Sequence, residues 1–220
     1  MGQRESKLPP RELKDLFYRT DFSEKEIQEY YKSFKKRYPS GIMTTEDLMR
    51  LYNSFFAIGD STSFAELVFR TFDKNRDEKI DFSEILCALS LSLRGSLDQR
   101  LLQSFNMFDQ DMDGEITSED MLVIMKAIYK LVGEDSMERQ YTGGRSPEQY
   151  VKHLFNIMDK NGDRLVSWNE FTEAAYRDPT FLKLMELCRS GSHLYGVRSE
   201  GDAEGLRKVA CGLSRMCNIS

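Results

Sequence analysis

The stretch Asp109-Gln110-Asp111-Met112-Asp113-Gly114-Glu115-Ile116-Thr117-Ser118-Glu119-Asp120 decides how the rest of the chain is read. Oxygen-bearing side chains recur at its positions 1, 3 and 5 (Asp109, Asp111, Asp113), and Gly114 follows at position 6, where the chain must turn with positive φ. Glu115 at position 7 needs only its backbone carbonyl, Ile116 at 8 points into a core, Thr117 stands at 9, and Asp120 closes the run at 12. Three carboxylates at alternate positions repel one another in an ordinary turn, and a bound divalent cation removes that cost. The spacing is the one that wraps a hard cation in six to eight oxygens. The alternative is a solvated acidic turn, and repetition decides between them.

The pattern does repeat. Residues 73–84 place Asp73, Asn75 and Asp77 at positions 1, 3 and 5, the Lys79 carbonyl at 7, Asp81 at 9 and Glu84 at 12. Residues 159–170 place Asp159, Asn161 and Asp163, the Leu165 carbonyl, Ser167 and Glu170 in the same order. An earlier stretch, 36–47, aligns through Gly41 but has Lys36 and Tyr38 at positions 1 and 3 and Pro39 at 4, so a cation would meet an ammonium and a phenol there. It reads as a loop that keeps its fold and binds no metal. The fold class expected is all-α: four EF-hands in two paired lobes, with Met43 opposite Ile80 and Ile116 opposite Val166 as short antiparallel bridges. The domains follow as 1–95, whose first hand is silent, and 96–188, with 189–220 as a basic tail.

The three complete loops differ in their defects. Position 6 is Glu78 in one and Arg164 in another, and a left-handed L-residue costs about 1–2 kcal/mol. Gly162 sits at position 4, where it is not expected to relieve that turn. The loop at 109–120 has its glycine but ends in Asp120, one methylene shorter than Glu, which favours octahedral Mg2+ over Ca2+.

Composition sets bounds on the partners. The chain has 220 residues, net charge −5 and 40% hydrophobic residues. The acidic balance argues against nucleic acid, and no apolar run approaches the roughly 20 residues that cross a bilayer. Four cysteines, Cys87, Cys188, Cys211 and Cys217, are too few and too uneven for a disulfide framework, which fits a cytoplasmic protein. His153 and His193 have no partners at catalytic or zinc spacing, so no enzyme activity is expected.

Toward the N-terminus, Gly2 and Ser6 fit a myristoylation pattern; the alternative is an ordinary charged terminus. A helix is expected over Arg11–Arg19, and a second that starts at Asp21 or Ser23 is capped by Ser23 with Glu26. Residues 132–147, with Gly143-Gly144, read as a mobile polar linker. Asp178-Pro179 opens a short helix. Beyond it, Arg189, Arg198, Arg207, Lys208 and Arg215 outnumber Glu200, Asp202 and Glu204, and disorder is expected. The last four residues, Cys217-Asn218-Ile219-Ser220, fit a prenylation box apart from Asn218; the alternative is a disordered end that carries a cysteine.

These residues together resemble the neuronal calcium sensor family, which contains recoverin and the visinin-like proteins. The resemblance runs from Met1 to about Cys188. It rests on Gly2 with Ser6-Lys7-Leu8, Pro39-Ser40-Gly41, Phe69-Arg70-Thr71-Phe72-Asp73, Ala88-Leu89-Ser90 with Arg94-Gly95, Ala127-Ile128-Tyr129 and Met158-Asp159-Lys160-Asn161. The chain departs from the family's usual pattern at Tyr38, Glu78 and Asp120. The function expected is a Ca2+ sensor that opens an apolar groove for an amphipathic target helix, at a membrane surface. Tyr30, Phe34, Tyr52, Phe55, Phe56, Phe72, Phe82 and Leu89 are candidates to line that groove, and each is equally suited to static core. A passive Ca2+/Mg2+ buffer and a constitutive regulatory subunit of a kinase or phosphatase are the other readings.

Overall fold

The computed structural model describes residues 7–54 and 59–189, with side chains as far as Met185. The chain forms α1 (Pro10–Arg19), α2 (Glu24–Arg37), β1 (Ile42–Met43), α3 (Thr45–Asn53), α4 (Thr62–Phe72), β2 (Ile80–Asp81), α5 (Phe82–Arg94) and α6 (Leu97–Phe108). There follow β3 (Glu115–Ile116), α7 (Ser118–Val132), α8 (Glu134–Met137), a π-helix (Glu138–Thr142), α9 (Pro147–Met158), β4 (Val166–Ser167), α10 (Trp168–Arg177) and α11 (Pro179–Arg189). This is the all-α EF-hand fold. β1 pairs with β2 and β3 with β4, both antiparallel, and Met43 faces Ile80 and Ile116 faces Val166 as the loop alignment requires.

Two compact units result. One holds the described parts of 1–44 and 72–96, the other those of 45–71 and 97–190. The sequence divides by pairs of hands; the packing places α3 and α4 with the later helices.

In the first unit, α1 starts with Pro10 at a position whose N–H has no helical partner, and α2 starts with the expected box of Ser23 and Glu26. Leu16, Phe22, Ile27, Tyr30, Phe34 and Leu86 are buried in its core. Arg94, at the end of α5, closes it. Its guanidinium meets Glu26 at 2.5 Å, the Asp21 carbonyl, and the face of Phe22 at 4.5 Å. Burial pushes the Glu26 carboxyl up, but the bonds from Arg94 and Ser23 outweigh it and hold the group below the ordinary range. Burial also pushes the half-buried Cys87 thiol up, which disfavours its thiolate.

In the second unit, Phe105, Phe108, Trp168 and Phe181 gather around the fully buried ring of Phe171, at centroid distances of 5.3–6.4 Å. The linker expected to be mobile is instead helical. Met137 and Thr142 are buried, Tyr129 donates its hydroxyl to the Arg145 carbonyl at 2.6 Å, and Gly143 ends the π-helix in the left-handed region. The glycine pair that looked like flexibility serves as a helix stop.

Among the described residues no helix is long and apolar enough to cross a membrane. Gly2 and Cys217, the two lipidation candidates, and the tail from 190 lie outside the described residues, as do Phe55 and Phe56.

Candidate metal centres

Each loop is built on one local rule. Position 9 and position 12 lie three residues apart, which is also the spacing of a helix capping box. Asp81 with Glu84, Thr117 with Asp120, and Ser167 with Glu170 form such boxes at the starts of α5, α7 and α10. The residue that closes the ligand set is therefore already oriented by the helix that follows. Position 1 is fixed as firmly. Asp73 accepts N–H groups from Asp77 and Glu78, Asp109 from Asp113 and Gly114, and Asp159 from Gly162 and Arg164, at 2.7–3.2 Å.

Carboxylate oxygens of Asp109, Asp111 and Asp113 lie within 4.8 Å of one another. Asp109 is 5% exposed, and burial pushes its carboxyl above the ordinary range, with the charge of Asp113 adding to the effect. A buried carboxylate crowded by a second one is the donor set that a divalent cation relieves. These residues fit the ion.

The position-12 side chains divide the loops. Glu84 accepts the Asp81 N–H with one oxygen and crosses the loop to the Lys74 N–H with the other, both at 3.0 Å. Glu170 does the same between Ser167 (2.9 Å) and Lys160 (3.0 Å). Burial pushes Glu170 up, yet the Ser167 and Lys160 bonds outweigh it and keep the group below its usual range. The hydrogen bonds of Asp120 go to Thr117, to its N–H at 3.1 Å and its hydroxyl at 2.6 Å. One methylene is the difference between spanning the loop and stopping at the cap. We expect Asp120→Glu to strengthen Ca2+ binding at 109–120 in calorimetry; unchanged affinity there would defeat the chain-length argument.

Backbone strain is distributed differently from the sequence expectation. Position 6 is left-handed as required, with φ of 61° at Glu78, 90° at Gly114 and 68° at Arg164. Position 4 is left-handed too, with φ of 58° at Arg76, 63° at Met112 and 79° at Gly162. Gly162 therefore does relieve its loop, at a second turn that the rule for position 6 does not cover. The loop at 73–84 holds two strained residues and the other two loops hold one each. Glu78→Gly, Arg76→Gly and Arg164→Gly should each tighten Ca2+ binding by up to roughly tenfold. Gly162→Ala should weaken it by a similar factor, because a Cβ there meets nothing within 4 Å and the cost is confined to φ. Calorimetric titration that gave the opposite order would reject the strain assignment.

The loop at 36–47 keeps the shape of a hand with other side chains at the ligand positions. Tyr38 at position 3 turns into the core, 6% exposed and 5.1 Å from Phe34. The Lys35 ammonium donates to the Pro39 carbonyl at 2.9 Å, and lies 3.1 Å from where a Cβ on Gly41 would be. A tethered cation stands over the loop, and β1 still pairs with β2. Sequence reasoning identified Lys36 and Tyr38 as obstacles and overlooked Lys35, which lies one residue outside the loop frame.

The residues proposed for a groove are packed. Tyr30 lies on Phe22 at 5.1 Å, Phe82 on Tyr31 and Phe34 at 5.0 and 5.6 Å, and Tyr52 edge-on to Phe64 at 5.2 Å. Phe72 and Leu89 are half-buried.

Comparison with known proteins agrees with this geometry. Family models for an EF-hand domain pair match residues 39–89 and 98–176. A curated relative named Neuronal calcium sensor 1, from Lymnaea stagnalis, is 42% identical over 193 residues, 87% of this chain and 99% of the relative. Another of that name, from Aplysia californica, is 41% identical over 191 residues, with the same shares. With three loops that keep the ligand frame and a first that has lost it, the chain belongs to the neuronal calcium sensor family.

Proposed function

We propose that this protein is a Ca2+ sensor that regulates a target protein at a membrane surface, with 1–95, whose first hand is silent, and 96–188 as its two EF-hand pairs. The observation that carries the reading is the double use of positions 9 and 12, as ligands and as the cap of the exiting helix. A bound ion would supply positive charge to the crowded carboxylates. Asp73, Asn75, Asp77, Asp81 and Glu84, with the Lys79 carbonyl, would hold it in one loop. Asp159, Asn161, Asp163, Ser167 and Glu170, with the Leu165 carbonyl, would do so in another. Loop 109–120, through Asp109, Asp111, Asp113, Thr117, Asp120 and the Glu115 carbonyl, would favour Mg2+. Because Glu84 and Glu170 sit in the first turns of α5 and α10, drawing them inward would re-aim those helices.

Re-aimed helices would expose the ring cluster of Tyr30, Phe34 and Phe82, which is now buried, to an amphipathic target helix. Anchoring would come from an acyl chain on Gly2 and a prenyl group on Cys217, since one acyl chain alone holds a protein only marginally. Apolar-dye fluorescence that rises on adding Ca2+ to the purified chain supports the sensor. No rise would favour a buffer, which barely opens. Intact-mass spectrometry of protein from its own cells tests both lipids, and a chain that still carries Asn218 to Ser220 would exclude prenylation.

A further inference from the structure

We propose that the outward face of α1 is an interfacial contact for an anionic lipid surface, formed by Arg11, Lys14, Phe17 and Tyr18. This deepens the membrane reading above and rests on it for its place in the cell, but not for its chemistry.

The helix buries one side, through Leu16, with Leu13 half-buried beside it. At 3.6 residues per turn, Phe17, Lys14, Tyr18 and Arg11 fall in that order within a sector of about 120° on the other side. Phe17 is 43% exposed and Tyr18 74%, with their rings edge to face at 5.6 Å. Tyr18 is the more open of the two, and Phe17 keeps a large part of its ring exposed beside it. Lys14 and Arg11 are exposed between and beside them.

The helix's acidic groups fall outside the stripe. Asp15 is paired with Arg19 at 3.0 Å, and Glu12 lies beyond Arg19 around the helix. Charge complementarity therefore selects an anionic partner, and the aromatics select one with an apolar layer beneath its charge. A bilayer with anionic headgroups offers both: basic side chains gain from its surface potential, and amphipathic rings settle at the headgroup level. Leu8 fixes the orientation of the segment, since it is buried and both its N–H and its carbonyl pair with the Gln28 side chain on α2. An acyl chain on Gly2, six residues before Leu8, would keep Leu8 within about 20 Å of the surface that holds it.

The test uses the full chain made without acylation, sedimented with vesicles of phosphatidylcholine alone or with about one third phosphatidylserine. The expected result is partition into the anionic vesicles and little into the neutral ones. Tyr18→Ser should lower that partition about fivefold, through lost apolar contact, without lowering the thermal midpoint, and adding Phe17→Ser should take the loss to about tenfold. Arg11→Gln with Lys14→Gln should lower it similarly, and added salt should erase the difference between this variant and the wild type. Equal partition by wild type and the aromatic variant, or no partition of the wild type, overturns the proposal. An acidic protein partner as the true occupant would show itself as that second outcome. If acylation is absent in cells while the unacylated chain still partitions as described, the anchoring reading fails and this one stands.

Discussion

Replacing Glu84 or Glu170 by Gln should abolish useful Ca2+ binding at the substituted loop while leaving the metal-free fold intact. Each carboxylate has two tasks in the structure. One oxygen caps its helix by accepting the N–H of Asp81 or Ser167; the other spans the loop to Lys74 or Lys160. A Gln side chain fills the same volume and keeps one acceptor, enough for the Asp81 or Ser167 N–H and so for the box, while its NH2 faces the Lys74 or Lys160 N–H and gives up that second bond. The charge does not. Two unit charges 4 Å apart attract by about 4 kcal/mol at an effective dielectric of 20, and losing such a term costs on the order of a hundredfold to a thousandfold in affinity. Glu84→Ala and Glu170→Ala would lose the bond to the Asp81 or Ser167 N–H as well, for about 1 kcal/mol more in the metal-free state. Calorimetry and melting in chelator separate the two roles. If the Gln and Ala variants melt alike without metal, the capping role is wrong; if the Gln variant binds Ca2+ as the wild type does, the ligand role is wrong.

The parts of this architecture that could be read from the sequence are those set by covalent spacing. The alternation of Asp109, Asp111 and Asp113 fixed the loops, and loop alignment fixed which residues face each other across the bridges, because a one-residue slip would turn Ile116 or Val166 out of the core. Ser23 and Glu26 marked a helix start for the same reason. What escaped was context. Arg76 and Met112 carry no sign of left-handed backbone, since the turn at position 4 is imposed by N–H groups that must aim at Asp73 and Asp109. Residues 132–147 read as linker because their polar composition hides two buried anchors, Met137 and Thr142. Tyr30, Phe34, Tyr52 and Phe82 illustrate a deeper limit. A residue packed in one state and exposed in another has the same sequence signature as plain core, and these four rings are packed in this one.

The grouping of α3 and α4 with the later helices includes, beside the bond from Arg70 to Gln110, a backbone contact that the sequence did not reveal, and Gly59→Ala should break it. A Cβ on Gly59 would lie 1.8 Å from the Leu131 carbonyl oxygen, 2.4 Å from its carbon and 2.6 Å from the Lys130 oxygen. All three are backbone atoms at the end of α7, so no flexible side chain can move aside. The close approach has a purpose. The last carbonyls of a helix lack intrahelical donors, and the Asp60 N–H supplies one to Lys130 at 2.9 Å. A methyl group at residue 59 would push that donor away and leave both the overlap and an unpaired carbonyl. Overpacking costs about 1–3 kcal/mol and the lost hydrogen bond about 1 kcal/mol, so a loss of roughly 3 kcal/mol is expected. Asp60→Ala provides the comparison, because it keeps the backbone contact and removes only the carboxylate that accepts the Thr62 N–H at the start of α4, at 3.0 Å. Its cost should be about 1 kcal/mol. Denaturant unfolding of the metal-free chain would show the order, and hydrogen exchange at the Asp60 amide would locate it. A Gly59→Ala variant as stable as Asp60→Ala, with that amide still protected, would mean that the segment docks on α7 in some other way.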